Sequence, residues 1–308
     1  MSQNNVSKIF HLLDEQLPSN EVKRLFHGRG RMVSGWEQIN IEVYGPVLWI
    51  MVYQEIDESE LEIFLELAKE NAQNWDIKHV YVQRRHLKSD PVEVVLGNDS
   101  YLEKDFVVEE AGLKYWVTLG KNQNTGLFLD MVNGRTWLSE HSKNKRILNL
   151  FSYTCSLGMA ALKGEASHVL NLDMAKAVIK RGQQNLALND FEPSRCSFIA
   201  QDIFKMVKKV SQKGPFDLVV ADPPSFQSKA FNVRSDYKKL LEKLKPAIAE
   251  NGELMLCLNS PALGPDFLQE LVKELWPSAE FVGRIENPAF LKDKDENASL
   301  KVMHFQLK

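Results

Sequence analysis

RILNLFSYTCSLGMAALKGEASHVLNLD, residues 146–173, decides the fold. A short apolar run (Arg146–Phe151) is followed by a segment able to form a helix (Leu157–Lys163). A second run, His168–Asp173, ends in an acid. The rhythm then repeats. Ala175–Leu188 carries Val178, Ile179, Leu186 and Leu188 at helical spacing, and CSFIAQD (196–202) is a third run that also ends in an acid. FDLVVAD (216–222) is a fourth run and the most continuously apolar. Val233–Ala249 places Leu240, Leu241 and Leu244 on one helical face, and ELMLCLN (253–259) is a fifth run. Apolar runs alternating with helices predict βαβ units and a doubly wound, mostly parallel α/β sheet covered on both faces. The end departs from this rhythm. After a helix over Pro265–Leu275, two strands (Ala279–Glu286 and Leu300–Leu307) follow with only loop between them. Two consecutive strands without a crossover helix imply an antiparallel pair at the end of the sheet.

Upstream, the pattern is α+β. A helix is expected over Val6–Leu17, a strand pair over Ile39–Gln54 and a helix over Glu58–Asn74. Strands are expected at His79–Gln83 and Glu93–Leu96, and two more over Phe106–Leu119 around Gly112. This predicts a smaller N-terminal α+β domain over 1–121 and a second domain over 122–308. The chain has 308 residues, 44% hydrophobic and 26% charged, with 38 basic against 41 acidic side chains and a net charge of −3. These are globular proportions, which exclude disordered, collagenous and coiled-coil chains. No apolar run approaches the roughly 20 residues of a membrane helix. Met1–Asn5 lacks the basic-then-apolar pattern of an export signal. Cys155, Cys196 and Cys257 are too few and too scattered for a disulfide framework or a zinc cage. A cytoplasmic protein with reduced thiols is expected. Residues 1–143 carry 15 basic and 22 acidic side chains, and 144–308 carry 23 and 19. The second half is therefore slightly cationic.

In an open α/β sheet the ligand lies beyond the carboxyl ends of the strands, where the strand order reverses. The first of these strands opens into Phe151-Ser152-Tyr153-Thr154-Cys155-Ser156-Leu157-Gly158. The next two end at Asp173 and Asp202, and the fourth ends at Asp222-Pro223-Pro224-Ser225-Phe226. Asp173 follows the first loop by about twenty residues, the place of a ribose-binding acid. A dinucleotide would also need a glycine-rich loop so that backbone can approach its pyrophosphate at a bare helix N-terminus. Only Gly158 is available in the loop. S-adenosylmethionine has no phosphate, so the missing glycines favour it over NAD. Asp173 and Asp202 could equally cap the helices that follow them. The two prolines after Asp222 fix φ and remove two donors. That stiff turn can hold a carboxylate and carbonyls toward a substrate amine with an aromatic nearby, or can simply be a rigid connection.

TGLFLD (125–130), LNLFSYT (148–154), NLDMAKA (171–177) and ADPPSF (221–226) together resemble the bacterial 23S ribosomal RNA methyltransferases of the I and K/L types. The resemblance covers roughly residues 106–308. It implies a class I S-adenosylmethionine-dependent methyltransferase with a Rossmann-like seven-stranded sheet. By that resemblance Phe151, Tyr153, Cys155, Ser156 and Gly158 surround the methionine part, while Asp173 and Met174 lie at the ribose. Asp202 and Ile203 lie at the adenine, and Asp222 sits between donor and acceptor. Asp222, Pro223, Pro224, Phe226 and Asn259 form the catalytic set, and Asp130 and Arg135 help close the site. The chain departs from the family at three places. Cys155 stands where glycine is usual and is expected to crowd the loop. Val132 stands where a second arginine is usual. Asn259 stands where the type I enzymes place a nucleophilic cysteine, with Cys257 two residues earlier. Cytosine carbon 5 needs a thiolate to add to the ring first. Nitrogen methylation needs only positioning and hydrogen bonds, so a base nitrogen of ribosomal RNA is the expected target. For Cys257 the plain alternative is a buried strand residue.

Two basic clusters could meet RNA phosphates: KRLFHGRGR (23–31), read as a flexible contact, and RRHLK (84–88), with Arg84 and Arg85 as substrate candidates. A solvated loop accounts for either cluster equally well. His27 and His86 have no metal-ligand spacing, and no metal is expected. Two other functions stay open. One is methylation of a protein or small molecule, and the other is a catalytically silent cofactor-binding factor in ribosome assembly.

Overall fold

Strand Arg146–Leu150 (β8) forms because four of its five residues are apolar or amide and can be buried on both faces. The computed structural model containing it describes residues 9, 10, 13, 21–224 and 231–308. Of the helix expected over 6–17 only Ile9, Phe10 and Leu13 are described, and all three are buried. The rest of that segment, and Phe226, lie outside the described residues.

Residues up to Leu129, joined by Pro288–Lys294, form one compact unit; Asp130–Asn287 and Asp295–Lys308 form the second. The expected single cut at 121/122 therefore falls eight residues ahead of the structural one, and the return of 288–294 to the first unit has no counterpart in the sequence reading.

The first unit has a five-stranded sheet ordered β1-β2-β3-β4-β5, from Lys23–His27, Ile39–Tyr44, Val47–Val52, His79–Arg84 and Val92–Leu96. All pairs are antiparallel except β3 and β4, which the helix α1 (Glu58–Asn74) connects as a crossover. Asp57 starts α1 by accepting bonds from the Ser59 and Glu60 amides at 3.0 and 3.3 Å. Leu61, Phe64, Leu65 and Ala68 face the core, where Phe64 meets Phe10 and Trp36. A separate hairpin pairs β6 (Asp105–Glu110) with β7 (Leu113–Thr118). One expectation fails here. Lys23–His27 is not a flexible contact but an edge strand, and Gly28 and Gly30 follow it for close approach. A Cβ on Gly28 would lie 1.9 Å from the Trp36 carbonyl oxygen, and one on Gly30 2.4 Å from that of Lys292.

The second unit has a seven-stranded sheet ordered β10-β9-β8-β11-β12-β14-β13. β9 is His168–Asp173, β10 Cys196–Ala200, β11 Phe216–Ala221 and β12 Ile248–Leu258. Those four and β8 run parallel; β14 (Lys301–Gln306) lies antiparallel between β12 and β13 (Glu280–Ile285). The expected antiparallel closure is thus present. The helices are α2 (Val132–His141), α3 (Ser156–Lys163), α4 (Lys176–Leu188), α5 (Ile203–Ser211), α6 (Val233–Leu244) and α7 (Asp266–Leu275). Leu240, Leu241 and Leu244 of α6 and Leu268 and Val272 of α7 pack with Val219, Leu254 and Phe305 of the sheet in one core. The strand order reverses between β8 and β11, which opens a crevice at their carboxyl ends. Among the described residues no helix is long and apolar enough to cross a membrane.

Candidate functional site

The crevice begins with a strained loop. Phe151, Tyr153 and Cys155 have φ of 55°, 47° and 65°. Left-handed backbone costs about 1–3 kcal/mol at each residue with a side chain, so surrounding contacts must hold it. Those contacts are present. The Ser152 amide donates to the Leu172 carbonyl (3.1 Å) and the Cys155 amide to the Ser152 carbonyl (2.7 Å). Buried Asn185 of α4 donates to the Thr154 carbonyl at 3.0 Å.

Asp173 closes the arrangement. One carboxylate oxygen accepts the Tyr153 amide at 3.0 Å and the other the Ala175 amide at 2.9 Å. The acid at the end of β9 therefore fixes the loop after β8 as well as the start of its own helix. Met174 beside it is 61% exposed, an apolar surface at the crevice.

Cys155 does not crowd the loop from the cofactor side. It is fully buried, and its sulfur rests against α4 where a Cβ on Gly182 would come within 2.4 Å. Gly182 thus accommodates the cysteine. Burial pushes the Cys155 thiol up, so it is held neutral. Gly158 serves packing too: a Cβ there would lie 2.3 Å from Asn171 Oδ1, which accepts from Asn149 at 2.8 Å. Ser156 opens α3 and is half-buried.

At the end of β10, Asp202 is the N-cap of α5 and accepts from the amides of Phe204 (2.8 Å) and Lys205 (3.3 Å). The side chain of Ile203 belongs to the sheet core, so only its backbone remains for a ligand.

Asp222, at the end of β11, has a different environment. Its amide donates to the Leu150 carbonyl at 3.4 Å, and Pro223 behind it is buried. Burial raises its carboxyl to about 7, the negative Asp130 adds to the rise, and a hydrogen bond with Cys257 opposes it. Cys257 is fully buried; burial and the neighbouring Asp222 and Asp130 charges push its thiol well up. Buried Tyr237 of α6 spans the two strand ends, its hydroxyl 3.1 Å from the Ala221 carbonyl and 3.0 Å from that of Cys257. Phe231 packs edge-on against Phe151, with ring centroids 5.1 Å apart. Asn259 is exposed just past β12. The next carbonyl, Ser260, accepts from the buried Lys301 Nζ at 3.0 Å, as does that of Asn297 at 2.7 Å. Asp130 precedes α2, and Arg135 within α2 is buried.

The structure thus brings Asp130, Asp222 and Cys257 together, and joins Tyr153 to Asp173. Sequence reading missed Tyr237, Phe231 and the Cys257–Asp222 contact. Tyr237 alone had a signal, as a tyrosine three and four residues before Leu240 and Leu241 on the buried face of α6. Of the substrate candidates in the first unit, Arg84 is paired with Glu58 at 2.6 Å and lies 3.8 Å from Glu93. Arg85 instead lies over the Tyr53 ring, 5.3 Å from its centroid.

The donor set suits a sulfonium nucleoside better than a dinucleotide. Carboxylates stand at three strand ends, an exposed methionine lies beside the middle one, and bulky residues fill the loop where a pyrophosphate would need glycines.

Residues 23–306 match the family profile described as S-adenosylmethionine-dependent methyltransferase. Ribosomal RNA large subunit methyltransferase I of Aeromonas salmonicida is 34% identical over 172 residues, 54% of this chain and 43% of that protein. Ribosomal RNA large subunit methyltransferase K of Neisseria meningitidis is 32% identical over 206 residues, 65% of this chain and 57% of that protein. The matched region is thus about half the length of these curated relatives. A solved chain from Streptococcus mutans, described as a SAM-dependent methyltransferase, superposes with a TM-score of 0.85 at 22% identity, over 98% of this chain and 82% of that one.

Proposed function

This chain belongs to the S-adenosylmethionine-dependent methyltransferase family, and from that premise we propose that it methylates a nitrogen of a base in ribosomal RNA. The observation that carries the nitrogen is the environment of Asp222. A carboxyl raised to about 7 is poised to exchange a proton near neutral pH. Carbon methylation of cytosine would need a thiolate. The nearest thiol to Asp222, Cys257, is buried and pushed up by the same carboxylate. Beyond it the strand ends in Asn259, which can hold a base edge by both donor and acceptor but cannot add to a ring. Two relatives that bear the name ribosomal RNA large subunit methyltransferase support the choice of RNA.

Bound S-adenosylmethionine supplies an electrophilic methyl group on a sulfonium sulfur. Asp173 and Met174 would hold its ribose and adjoining ring, and the backbone at Asp202 and Ile203 the adenine edge. Phe151, Tyr153, Cys155, Ser156 and Gly158 would surround the methionine part, chiefly through their backbone. Asp222 accepts a hydrogen bond from the acceptor N–H and takes its proton as the nitrogen gains the methyl group. Buried Pro223 and half-buried Pro224 keep the carboxyl from swinging away, and Asn259 orients the base. Burial, reinforced by the Asp130 charge, holds Asp222 at its raised proton affinity, and buried Arg135 of α2 would help close the site.

Mass spectrometry of ribosomal RNA nucleosides from cells with and without the gene tests this reading. A nitrogen-methylated nucleoside that disappears with the gene is the expected result. Loss of a carbon-5 methylcytosine, or unchanged ribosomal RNA with label transferred to protein by the purified enzyme, contradicts it.

A further inference from the structure

The two basic clusters singled out in the sequence converge in the first unit. β1, β3 and β4 all point their carboxyl ends to one edge of the five-stranded sheet, because β1 and β3 each run antiparallel to β2 and β4 runs parallel to β3. Three residues leave the strands at that edge: Arg29 after β1, Tyr53 after β3 and Arg85 after β4. Arg29 lies over the Tyr53 ring with its guanidinium carbon 4.4 Å from the centroid, and Arg85 lies 5.3 Å from the same centroid.

The backbone fixes this arrangement. The Arg85 amide donates to the Val52 carbonyl (2.7 Å) and the Tyr53 amide to the Gln38 carbonyl (2.8 Å). The Tyr53 hydroxyl is tethered to the Met51 sulfur at 3.4 Å. Neighbouring arginines are neutralised: Arg24 meets Glu42 at 2.5 Å, and Arg84 meets Glu58 at 2.6 Å. Among the described residues no carboxylate lies within ion-pair distance of Arg29 or Arg85. Exposed Arg31 and Lys88 flank them, with Met32 and Leu87 at 55% and 45% exposure. Two guanidiniums gathered on one aromatic ring repel each other, and the ring's cation–π attraction does not neutralise their charge.

We propose that Arg29, Tyr53 and Arg85 form a binding site for single-stranded or loop RNA, with the guanidiniums meeting phosphate oxygens and the arginine–tyrosine planes stacking an unpaired base. The inference rests on the RNA reading above and deepens it by assigning the contact to this edge. Guanidinium forks match phosphate geometry, and unstacked bases are read by stacking on tyrosine and arginine planes. The exposed apolar rim suits bases better than a purely ionic partner.

Fluorescence anisotropy of the full chain with a labelled mixed-sequence 20-nucleotide RNA tests the site across a KCl series. Arg29→Gln with Arg85→Gln weakens binding roughly tenfold and flattens the log–log salt slope by about 1.4, from two phosphate contacts at about 0.7 each. Tyr53→Leu weakens binding about tenfold with little change in slope, whereas Tyr53→Phe binds nearly as the parent does. S-adenosylmethionine titrations and melting temperatures of the variants match the parent. Equal RNA affinity and slope in the double variant and the parent overturns the site and leaves the methyltransferase reading standing. A parent that binds no RNA overturns the site outright. If nucleoside mass spectrometry also shows unchanged ribosomal RNA, the RNA reading falls with it.

Discussion

Asp173 and Asp222 are the same residue at the ends of the two strands that flank β8, yet the fold treats them oppositely. The carboxylate of Asp173 is met by two backbone amides, from Tyr153 and Ala175, at 3.0 and 2.9 Å. Asp222 faces burial and a second carboxylate, Asp130, with a thiol beside it. An acid satisfied by fixed amides is a structural strut and a steady acceptor. An acid deprived of solvent and set against like charge exchanges its proton near pH 7. One crevice thereby sets an amide-bound carboxylate and one of raised proton affinity from a single residue type.

Replacing each acid by its amide should separate the two roles most sharply. Asp222→Asn is expected to lower methyl transfer at least about 100-fold, the low end for loss of a proton-accepting group. The same change should raise stability at pH 8. The folded protein holds the Asp222 proton more tightly than the unfolded chain does. Below about pH 4 the group is protonated in both states and costs nothing. Between pH 4 and 7 the unfolded chain releases the proton that the half-buried Asp222 keeps, so the cost grows over that window and is fully present above about 7. A rise from 3.8 to about 7 corresponds to at most about 4 kcal/mol, which partial exposure reduces to about 2 kcal/mol. Urea unfolding should therefore show the variant gaining over the parent between pH 4 and 8, with equal stability at pH 4. Asp173→Asn should behave oppositely. It should lose about 2 kcal/mol, because an amide NH2 then faces a backbone N–H. Its affinity for S-adenosylmethionine, read by calorimetry, should fall about tenfold.

The loop that Asp173 holds gives a smaller effect. Gly182→Ala pushes a methyl group into the Cys155 sulfur and should destabilise by about 1.5 kcal/mol, and adding Cys155→Ala should restore most of it. On the Asp222 side, Tyr237→Phe removes the hydroxyl that joins the Ala221 and Cys257 carbonyls. It should cost about 1 kcal/mol with a drop in kcat rather than in cofactor affinity.

The same contrast explains what was legible in the sequence. The strands of the second unit showed because a parallel sheet buried on both faces needs continuous apolar runs, as in Phe216–Ala221. β1 did not show: an edge strand spelled KRLFH reads as a charged loop, because nothing local announces that Glu42 of β2 meets Arg24. α2 was hidden by Gly134, a poor helix former in its first turn. Pro288–Lys294 joins the first unit through contacts such as the Lys294 amide on the Gly30 carbonyl at 2.8 Å, some 260 residues apart and invisible to local patterning. At the site, the places of the strand-end acids were readable, but their partners were not. Nothing near Asp222 in the chain announces Asp130 or Cys257, and the choice of Asp202 as a helix cap is made by the turn that follows it.

The division between the two acids is tested most directly by carboxyl-carbon NMR of the full chain labelled at aspartate, titrated from pH 3 to 9. The resonance lost in Asp222→Asn should titrate with a midpoint near 7. A midpoint near 4, the value of a solvated aspartate, would contradict the account of Asp222 as the proton-exchanging carboxylate.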